Sequence, residues 1–316
     1  MKIPLHSIRL ATNDFADECV IKSHTDFMVY KAELDNFDRK TVLAIDGENK
    51  GVLPKMKVNI KLFIKQTYES ITSFFKEFEM LSSCEHPNLV SLLGFCDENS
   101  KRILVLEWPF RGTLSGYLKS ASNRTNFTWE KRIRISLDIA HGLKYLHNSM
   151  ENKAYMRHQC IHSAHVLLDE EWTAKIASFW LFKFDSCRTT FFRDESLVED
   201  DIPSLGVILF EILTGRLAFD PVYKIESVEG LKSVARRHFN EGTLKNIADP
   251  NLLEEAQEWS YTLKKGPNQD SFDTFSKIAY QCLEKTPSKR PTLEDVIESL
   301  EEALHFQVSK YCICYK

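Results

Sequence analysis

The sequence has 316 residues, 43% of them hydrophobic and 27% charged, which is typical of a globular protein with one or two domains. Its net charge of −4 excludes the overall positive field that non-specific nucleic-acid binding needs. The sequence contains no run of about 18 apolar residues, so no membrane span is predicted. Residues 1–10 carry neither the apolar segment of a signal peptide nor the glycine that myristoylation needs after Met1.

The chain begins with a region that predicts β-strands and one helix. Apolar, β-rich patterns occur at residues 30–34, 57–64 and 102–108, where the sequence reads YKAEL, KVNIKLFI and RILVLEW. Between the last two, SITSFFKEFEMLSSC predicts a helix over 70–84. The polar segment at about 33–57 predicts a long loop or hairpin.

From about residue 112 the pattern becomes helical. A long helix is predicted over 128–147, with Thr128 as its N-cap. The unbroken apolar run SLGVILFEIL, followed by Gly215, predicts a buried helix that ends at a glycine. A third helix is predicted over 275–283 from its i, i+3, i+4 spacing. Strands first and helices later predict an α+β fold with two lobes of different class.

Several strings, in this order along the chain, carry a family resemblance. They include VNIKLF, FFKEFEMLSSCEHPNLVSLLGF, GLKYLH, HVLLDEEWTAKIASFW, SLGVILFEILTGR and CLEKTPSKRPTLEDVIESLE. The sequence resembles the plant receptor-like kinases, or Pelle family, and most of all the malectin-type receptor kinases and their receptor-like cytoplasmic relatives. The resemblance covers residues 5–304 and implies a bilobal protein-kinase-like fold. We expect an N-terminal flank (1–14), a mainly β N-lobe (15–107), a mainly α C-lobe (108–304) and a tail (305–316).

The resemblance assigns two residues that normally orient the phosphates of ATP. Lys61 matches the lysine of the third strand, and Glu77 matches the glutamate of the helix that follows. In a second interpretation, this pair only ties the helix to the sheet. Asn59 replaces the alanine that lines the adenine pocket, which Leu106 also lines. The side-chain amide of Asn59 is therefore expected where the adenine base of ATP would lie.

The glycine-rich phosphate loop is replaced. Its three glycine positions match Lys22, His24 and Phe27. Glycine is used there because backbone N–H groups must approach phosphate without a Cβ in the way. The whole chain has only 11 glycines in 316 residues, which is about half of the usual glycine content of ~7%. The resemblance therefore implies that ATP binding is weak or absent.

No catalytic residue is intact in this comparison. Cys160 stands where the family has the aspartate that accepts the substrate proton, and His162 replaces the lysine of the same loop. His165 and Ser178 replace the asparagine and aspartate that hold magnesium, and a serine hydroxyl is a weak ligand for a hard cation. We therefore expect no metal cofactor and no phosphoryl transfer.

The residues that pack the family's fold are retained. The positions of the family's regulatory spine are Leu81, Leu92, His158, Phe179 and Asp201. The resemblance also implies an ion pair between Glu195 and Arg290, which links the activation segment to the C-lobe. We expect Leu81 and Leu92 to be buried. Random decay would also reach buried positions and unfold a marginally stable domain. The pattern indicates that the fold is needed and the reaction is not.

Two clusters allow other interpretations. The spacing H-x-C-x-H-x-x-H over 158–165 has ligand types that bind zinc, although the resemblance makes His158 a packing residue. The run EDD at 199–201 is better explained by a solvated turn, with Asp201 bonded to the catalytic-loop backbone. Most of the eight cysteines are expected to be reduced core thiols, whereas Cys312 and Cys314 are open to acylation or belong to a frayed tail.

The resemblance implies a catalytically inactive adaptor or decoy in plant receptor or immune signalling. Its partners would be an active kinase, a receptor, or an immune receptor or pathogen effector, in the cytoplasm or at the inner face of the plasma membrane. One alternative is a weak or atypical serine/threonine protein kinase that uses Lys61. Another is a scaffold that senses nucleotide without metal. If recognition is the function, we expect Lys61→Ala to cost little stability, because the pair is taken to be partly exposed.

Overall fold

The computed structural model describes residues 1–35, 55–109, 111–120, 126–148, 158, 161–177, 201–227, 230–254 and 266–309. The chain divides into two compact units. The first comprises residues 1–85 and 90–108, and the second comprises residues 86–89 and 109–316. Strands dominate the first unit and helices the second, so the predicted α+β, protein-kinase-like fold is confirmed.

The described residues of the first unit form one antiparallel sheet with two α-helices. Along the chain it contains α1 (Leu5–Ala11), β1 (Val20–Ser23), β2 (Phe27–Asp35), β3 (Lys55–Phe63), α2 (Tyr68–Ser83), β4 (Leu92–Glu98) and β5 (Lys101–Glu107). The strand order is β1-β2-β3-β5-β4, which makes β3 the central strand. The predicted strands and the predicted helix match β2, β3, β5 and α2. The middle of the predicted polar loop lies outside the described residues.

The two faces of β3 have different roles because side chains alternate along a strand. Val58, Ile60 and Leu62 lie in a hydrophobic core with residues of the neighbouring strands and of α1. The alternate positions Asn59 and Lys61 are polar and are also buried. The face that carries the buried polar groups is therefore the one that needs a chemical explanation.

Residues 1–14, which the sequence sets apart as a flank, belong to the first unit. Ile3, Leu5 and Ile8 lie in its hydrophobic core. The backbone of Ile3 donates to the Phe95 carbonyl, and Phe95 donates to the Met1 carbonyl, so the N-terminus extends the sheet beyond β4. A Cβ on Gly94 would lie 2.6 Å from Cδ1 of Ile3 and 2.7 Å from the Met1 oxygen.

The second unit is built mainly from helices, with one small sheet. Its helices are α3 (Leu114–Lys119), α4 (Trp129–Asn148), α5 (Asp201–Thr214), α6 (Pro221–Glu226), α7 (Leu231–Asn240), α8 (Pro250–Glu254), α9 (Gln269–Cys282) and α10 (Leu293–Ser309). The sheet has the order β6 (Gly112–Thr113), β7 (Val166–Leu168), β8 (Ala174–Ile176). Among the described residues, no helix is long and apolar enough to cross a membrane.

The predicted helices of this unit are confirmed. Thr128 accepts a hydrogen bond from the Lys131 amide at the start of α4, as an N-cap does. Every residue of α5 except Val207 is buried, and Gly215 follows it with φ of +65°, which favours glycine. The guanidinium of Arg132 on α4 is fully buried and lies 2.6 Å from the Asp249 carboxylate. The same guanidinium donates to the main-chain carbonyl of Ile212, so Arg132 joins α4 to α5.

Candidate functional site

The ion pair predicted from the sequence is present in the first unit. The Nζ atom of Lys61 on β3 lies 2.7 Å from Oε1 and 2.6 Å from Oε2 of Glu77 on α2. The two side chains are only 5% and 4% exposed. The expectation that this pair is partly exposed is wrong, because Lys61 lies on the central strand and α2 packs against that strand.

Phe27 covers the same ammonium group. It is the first residue of β2 and is 2% exposed. In the β2–β3 register Phe27 lies opposite Phe63, and the two ring centroids lie 4.4 Å and 5.1 Å from Nζ of Lys61. Both contacts have the geometry of a cation–π interaction. The surroundings of the Lys61 ammonium thus include one carboxylate and two aromatic rings.

The turn before Phe27 closes over it. The His24 ring stacks on the Phe27 ring with centroids 4.8 Å apart, and the Lys22 ammonium lies 5.9 Å from the same ring. Burial lowers the pKa of His24, and the nearby lysine ammoniums lower it further against the opposing effect of Asp26. A neutral imidazole stacks on an aromatic ring without losing the hydration of a charge. All three positions that match the glycine-rich loop therefore carry side chains that pack together.

Asn59 is held to the strand next to it. Its side chain is buried, and Nδ2 donates to the main-chain carbonyl of Glu107, 3.2 Å away. Leu106, opposite Asn59 in the β3–β5 register, is also buried. The Oδ1 atom of Asn59 is buried and has no hydrogen-bond partner among the described residues. The amide thus has one hydrogen bond to the neighbouring strand and, among the described residues, one unsatisfied acceptor.

In the second unit, Asp201 organises two histidines. Its Oδ2 accepts a hydrogen bond from the His158 amide and lies 2.8 Å from Nε2 of His147. Burial alone would raise the pKa of Asp201, but the hydrogen bond from His147, with the further effects of both histidines, outweighs it, and the pKa is lowered. Burial lowers the pKa of His158, whose Nε2 lies 3.2 Å from the Ala177 carbonyl. A neutral His158 donates this bond and acts as a packing residue.

The two other catalytic-loop positions that the structure describes form a compact turn before β7. The rings of His162 and His165 lie 3.7 Å apart, and His165 is 4% exposed. The Nδ1 atom of His162 accepts a bond from the Ala164 amide. Within the described ranges, no group of three His, Cys, Asp or Glu side chains is arranged to hold a metal ion. Cys160, the other member of the zinc hypothesis, lies outside them.

The remaining predicted positions have mixed outcomes. Leu81 is buried at 5% exposure, but Leu92 is only half-buried because it begins β4 at the edge of the strand order. The expectation that both leucines are buried is therefore wrong for Leu92. Arg290 donates to the carbonyls of Glu284 and Lys285. The following predictions lie outside the described residues: Ser178, Phe179, Glu195, the first two residues of the EDD run, Cys312 and Cys314.

Sequence reasoning missed what Phe27 and Glu107 do. It treated Phe27 as an obstacle to phosphate, whereas the ring packs directly on the Lys61 ammonium. The available signal was the strand alternation, which places Phe63 on the same face of β3 as Lys61, together with the pairing of Phe27 on β2 with Phe63. Glu107 acts through its backbone carbonyl, which no residue type reveals.

The fold and the Lys61–Glu77 pair together define a protein kinase domain. A family model described as "Protein tyrosine and serine/threonine kinase" matches residues 29–300, so the chain belongs to that family. Three curated relatives from Arabidopsis thaliana are 32–33% identical: receptor-like protein kinases ANXUR2 (86% of this chain, 32% of the relative), FERONIA (90% and 33%) and HERK 1 (97% and 35%). The chain spans about a third of the length of these relatives. Their names support the resemblance to receptor-like kinases.

Proposed function

We propose that this chain is a pseudokinase, a protein-kinase domain that acts by binding other proteins and does not transfer phosphate. The observation that carries the proposal is the enclosure of the Lys61 ammonium. In an active kinase the corresponding lysine holds ATP phosphates while it pairs with the helix glutamate. A phosphate oxygen must come within about 3 Å of the ammonium nitrogen to form that bond. Here the Phe27 ring lies against the ammonium, and the lysine side chain is only 5% exposed.

The adenine position supports the same conclusion. The resemblance places Asn59 and Leu106 beside the base. The Asn59 amide is bonded to the Glu107 carbonyl and is 6% exposed. A base that entered there would have to displace a buried hydrogen bond, which costs on the order of 1–3 kcal/mol if the amide is left unsatisfied. The residues of the first unit therefore fit a nucleotide poorly, and we assign no step to ATP or magnesium.

The catalytic positions lack the groups that phosphoryl transfer uses. Cys160 and Ser178 supply no carboxylate as base or as magnesium ligand. His165, at the position of the metal-binding asparagine, is buried against His162. Catalysis of this reaction depends on positioned charges and metal ions, and the described residues include no group of three side chains arranged to hold a metal ion.

The proposed role is that of an adaptor or decoy in plant receptor or immune signalling. The named relatives are receptor-like protein kinases, which favours a signalling setting. Its partner would be an active kinase, a receptor, or an immune receptor or pathogen effector. We place the protein in the cytoplasm or at the inner face of the plasma membrane, where acylation of Cys312 or Cys314 would anchor it. Affinity capture from plant tissue, compared with a Leu81→Ala variant, tests for such a partner.

One observation favours a second candidate. The Lys61–Glu77 pair is intact at 2.6–2.7 Å, as a weak or atypical serine/threonine kinase would require. A nucleotide-sensing scaffold would need the same pair and no metal. Both alternatives require Phe27 to leave the ammonium, so nucleotide would have to displace the ring.

Phosphate incorporation separates the weak or atypical kinase from the two candidates that transfer no phosphate. The purified chain is incubated with labelled ATP and either magnesium or manganese, alone and with a generic protein substrate, beside an active receptor-like kinase. We expect no incorporation above background. The control for contaminating kinases is Lys61→Met combined with Glu77→Leu, which removes both charges and keeps their volume. Incorporation that the double variant abolishes while it stays folded would overturn the proposal.

A further inference from the structure

A cavity of about 350 Å³ lies in the second unit, where the end of α7 and the residues after it face α9. None of the residues discussed above lines it. The lining residues are Phe239, Gly242, Leu244, Lys245, Phe272, Asp273, Ser276 and Lys277. Cavities that bind small molecules have volumes of about 300–1,000 Å³, are mostly apolar and carry a few polar groups. This cavity has the size and the mixture of groups of a small site.

The inner wall of the cavity is apolar and well supported. Leu244 and Phe272 are buried at 7% and 4% exposure. The half-buried Phe239 ring stacks on Tyr280, with centroids 4.1 Å apart and planes 13° apart. Phe272 packs on the fully buried Trp129. An apolar ligand group would therefore meet preformed aromatic and aliphatic surface.

The mouth of the cavity is positively charged. The Lys245 ammonium donates to Gln269 at 2.5 Å, and Gln269 in turn donates to the Asp273 carboxylate at 2.8 Å. The Asp273 carboxylate therefore already accepts a hydrogen bond from Gln269. Within the part of the chain that the structure describes, exposed Lys277 has no hydrogen-bond or ion-pair partner. Two ammonium groups and one carboxylate line the mouth, so an anion is favoured there.

A buried hydroxyl lies behind this wall. Ser276 is 2% exposed, and its Oγ has no hydrogen-bond partner among the described residues. A buried polar atom without a partner costs on the order of 1–3 kcal/mol. Because this Oγ atom exposes almost no surface, the polar group of a ligand is expected at the two lysines and not at Ser276.

We propose that this cavity binds a small amphipathic organic anion. Its apolar body, a medium-length alkyl chain or an aromatic ring, would pack on Phe239, Leu244 and Phe272. Its carboxylate or phosphate group would lie at Lys277, with Lys245 as the second cation. The volume fits one small molecule, which favours a free ligand over a docked protein surface. This assignment is independent of whether the chain binds nucleotide.

The test is titration of the whole chain with octanoate and with octyl phosphate, followed by calorimetry, with octanol as the uncharged probe. We expect saturable one-to-one binding of at least one anion. Lys277→Gln should weaken it by about three- to tenfold, and Lys277→Glu more, because an ion pair at a partly exposed mouth contributes a modest free energy. Lys289→Gln, at an exposed lysine that does not line the cavity, should not change it.

The octanol arm separates the head group from the apolar body. Its affinity should be the same in the wild type and in Lys277→Gln. Circular dichroism establishes that each variant is folded. If neither anion shows saturable binding, or if Lys277→Glu and Lys289→Gln bind with equal affinity, the proposal is overturned. Binding of an anion that depends on Lys277 supports it, and the tighter of the two probes identifies the head group.

Discussion

Removal of the Lys61 ammonium is expected to destabilise the first unit strongly. The Glu77 side chain is 4% exposed, and both of its oxygens are bonded to Nζ of Lys61. Lys61→Ala leaves this carboxylate buried without a counter-charge. Breaking a buried pair in this way typically costs about 3–5 kcal/mol. That is a large share of the ~5–15 kcal/mol that stabilises a typical domain. The result would be opposite to the small effect expected from the sequence.

Removal of both charges should cost much less. In the double variant Lys61→Met with Glu77→Leu, apolar side chains of similar volume lie beside Phe27 and Phe63. Such replacements are often neutral or stabilising, so we expect a change within about 2 kcal/mol. Urea unfolding followed by circular dichroism on the single and double variants gives the coupling energy of the pair. A cost below about 1 kcal/mol for Lys61→Ala would refute the enclosure of the pair, because that value is typical of exposed pairs.

Three further predictions concern stability. Burial raises the pKa of Glu211 from 4.5 to about 7. This raised pKa favours the folded state at low pH, and about 3 kcal/mol of stability should be lost as pH rises from 4.5 to 7. Glu211→Gln should flatten that slope in urea titrations, and an unchanged slope would contradict the assignment. Leu81→Ala should cost about 2–5 kcal/mol and lower protein abundance, whereas the half-buried Leu92 should tolerate the same change better. Equal losses at the two positions would argue against this difference in burial. Gly94→Ala should displace residues 1–3, because a Cβ would lie 2.7 Å from the Met1 carbonyl oxygen. Hydrogen exchange at the Ile3 amide should accelerate, while Gly116→Ala in the second unit leaves it slow.

The sequence predicts the secondary structure of the chain better than its tertiary contacts. The strands β2, β3 and β5 and the helices α2, α4 and α5 follow from alternation and helical spacing, which are local properties. The position of residues 1–14 does not, because the apolar side chains of Ile3, Leu5 and Ile8 reveal an amphipathic segment without revealing the sheet that it packs on.

The same difference between local patterns and tertiary contacts applies to the candidate site. The residue types at Lys61, Glu77 and Asn59 follow from the family resemblance. Their burial depends on how α2 docks on the sheet, and the enclosure of the ammonium depends on a ring from the neighbouring strand. The half-buried Leu92 depends on its place at the start of an edge strand. Such non-local contacts follow from the assembled fold and carry no signature in a short sequence window.

The most direct test of whether this kinase domain has lost its nucleotide site is calorimetric titration of the wild-type chain with ATP, with and without magnesium. We expect no saturable binding at millimolar nucleotide in either condition, because Phe27 covers the Lys61 ammonium and the Asn59 amide is bonded to the Glu107 carbonyl. The double variant Phe27→Gly with Asn59→Ala reopens both positions and serves as the comparison. It should bind ATP at least as tightly as the wild type does. Micromolar affinity of the wild type for Mg-ATP would contradict the account, and equal affinity without metal would favour the nucleotide-sensing scaffold instead.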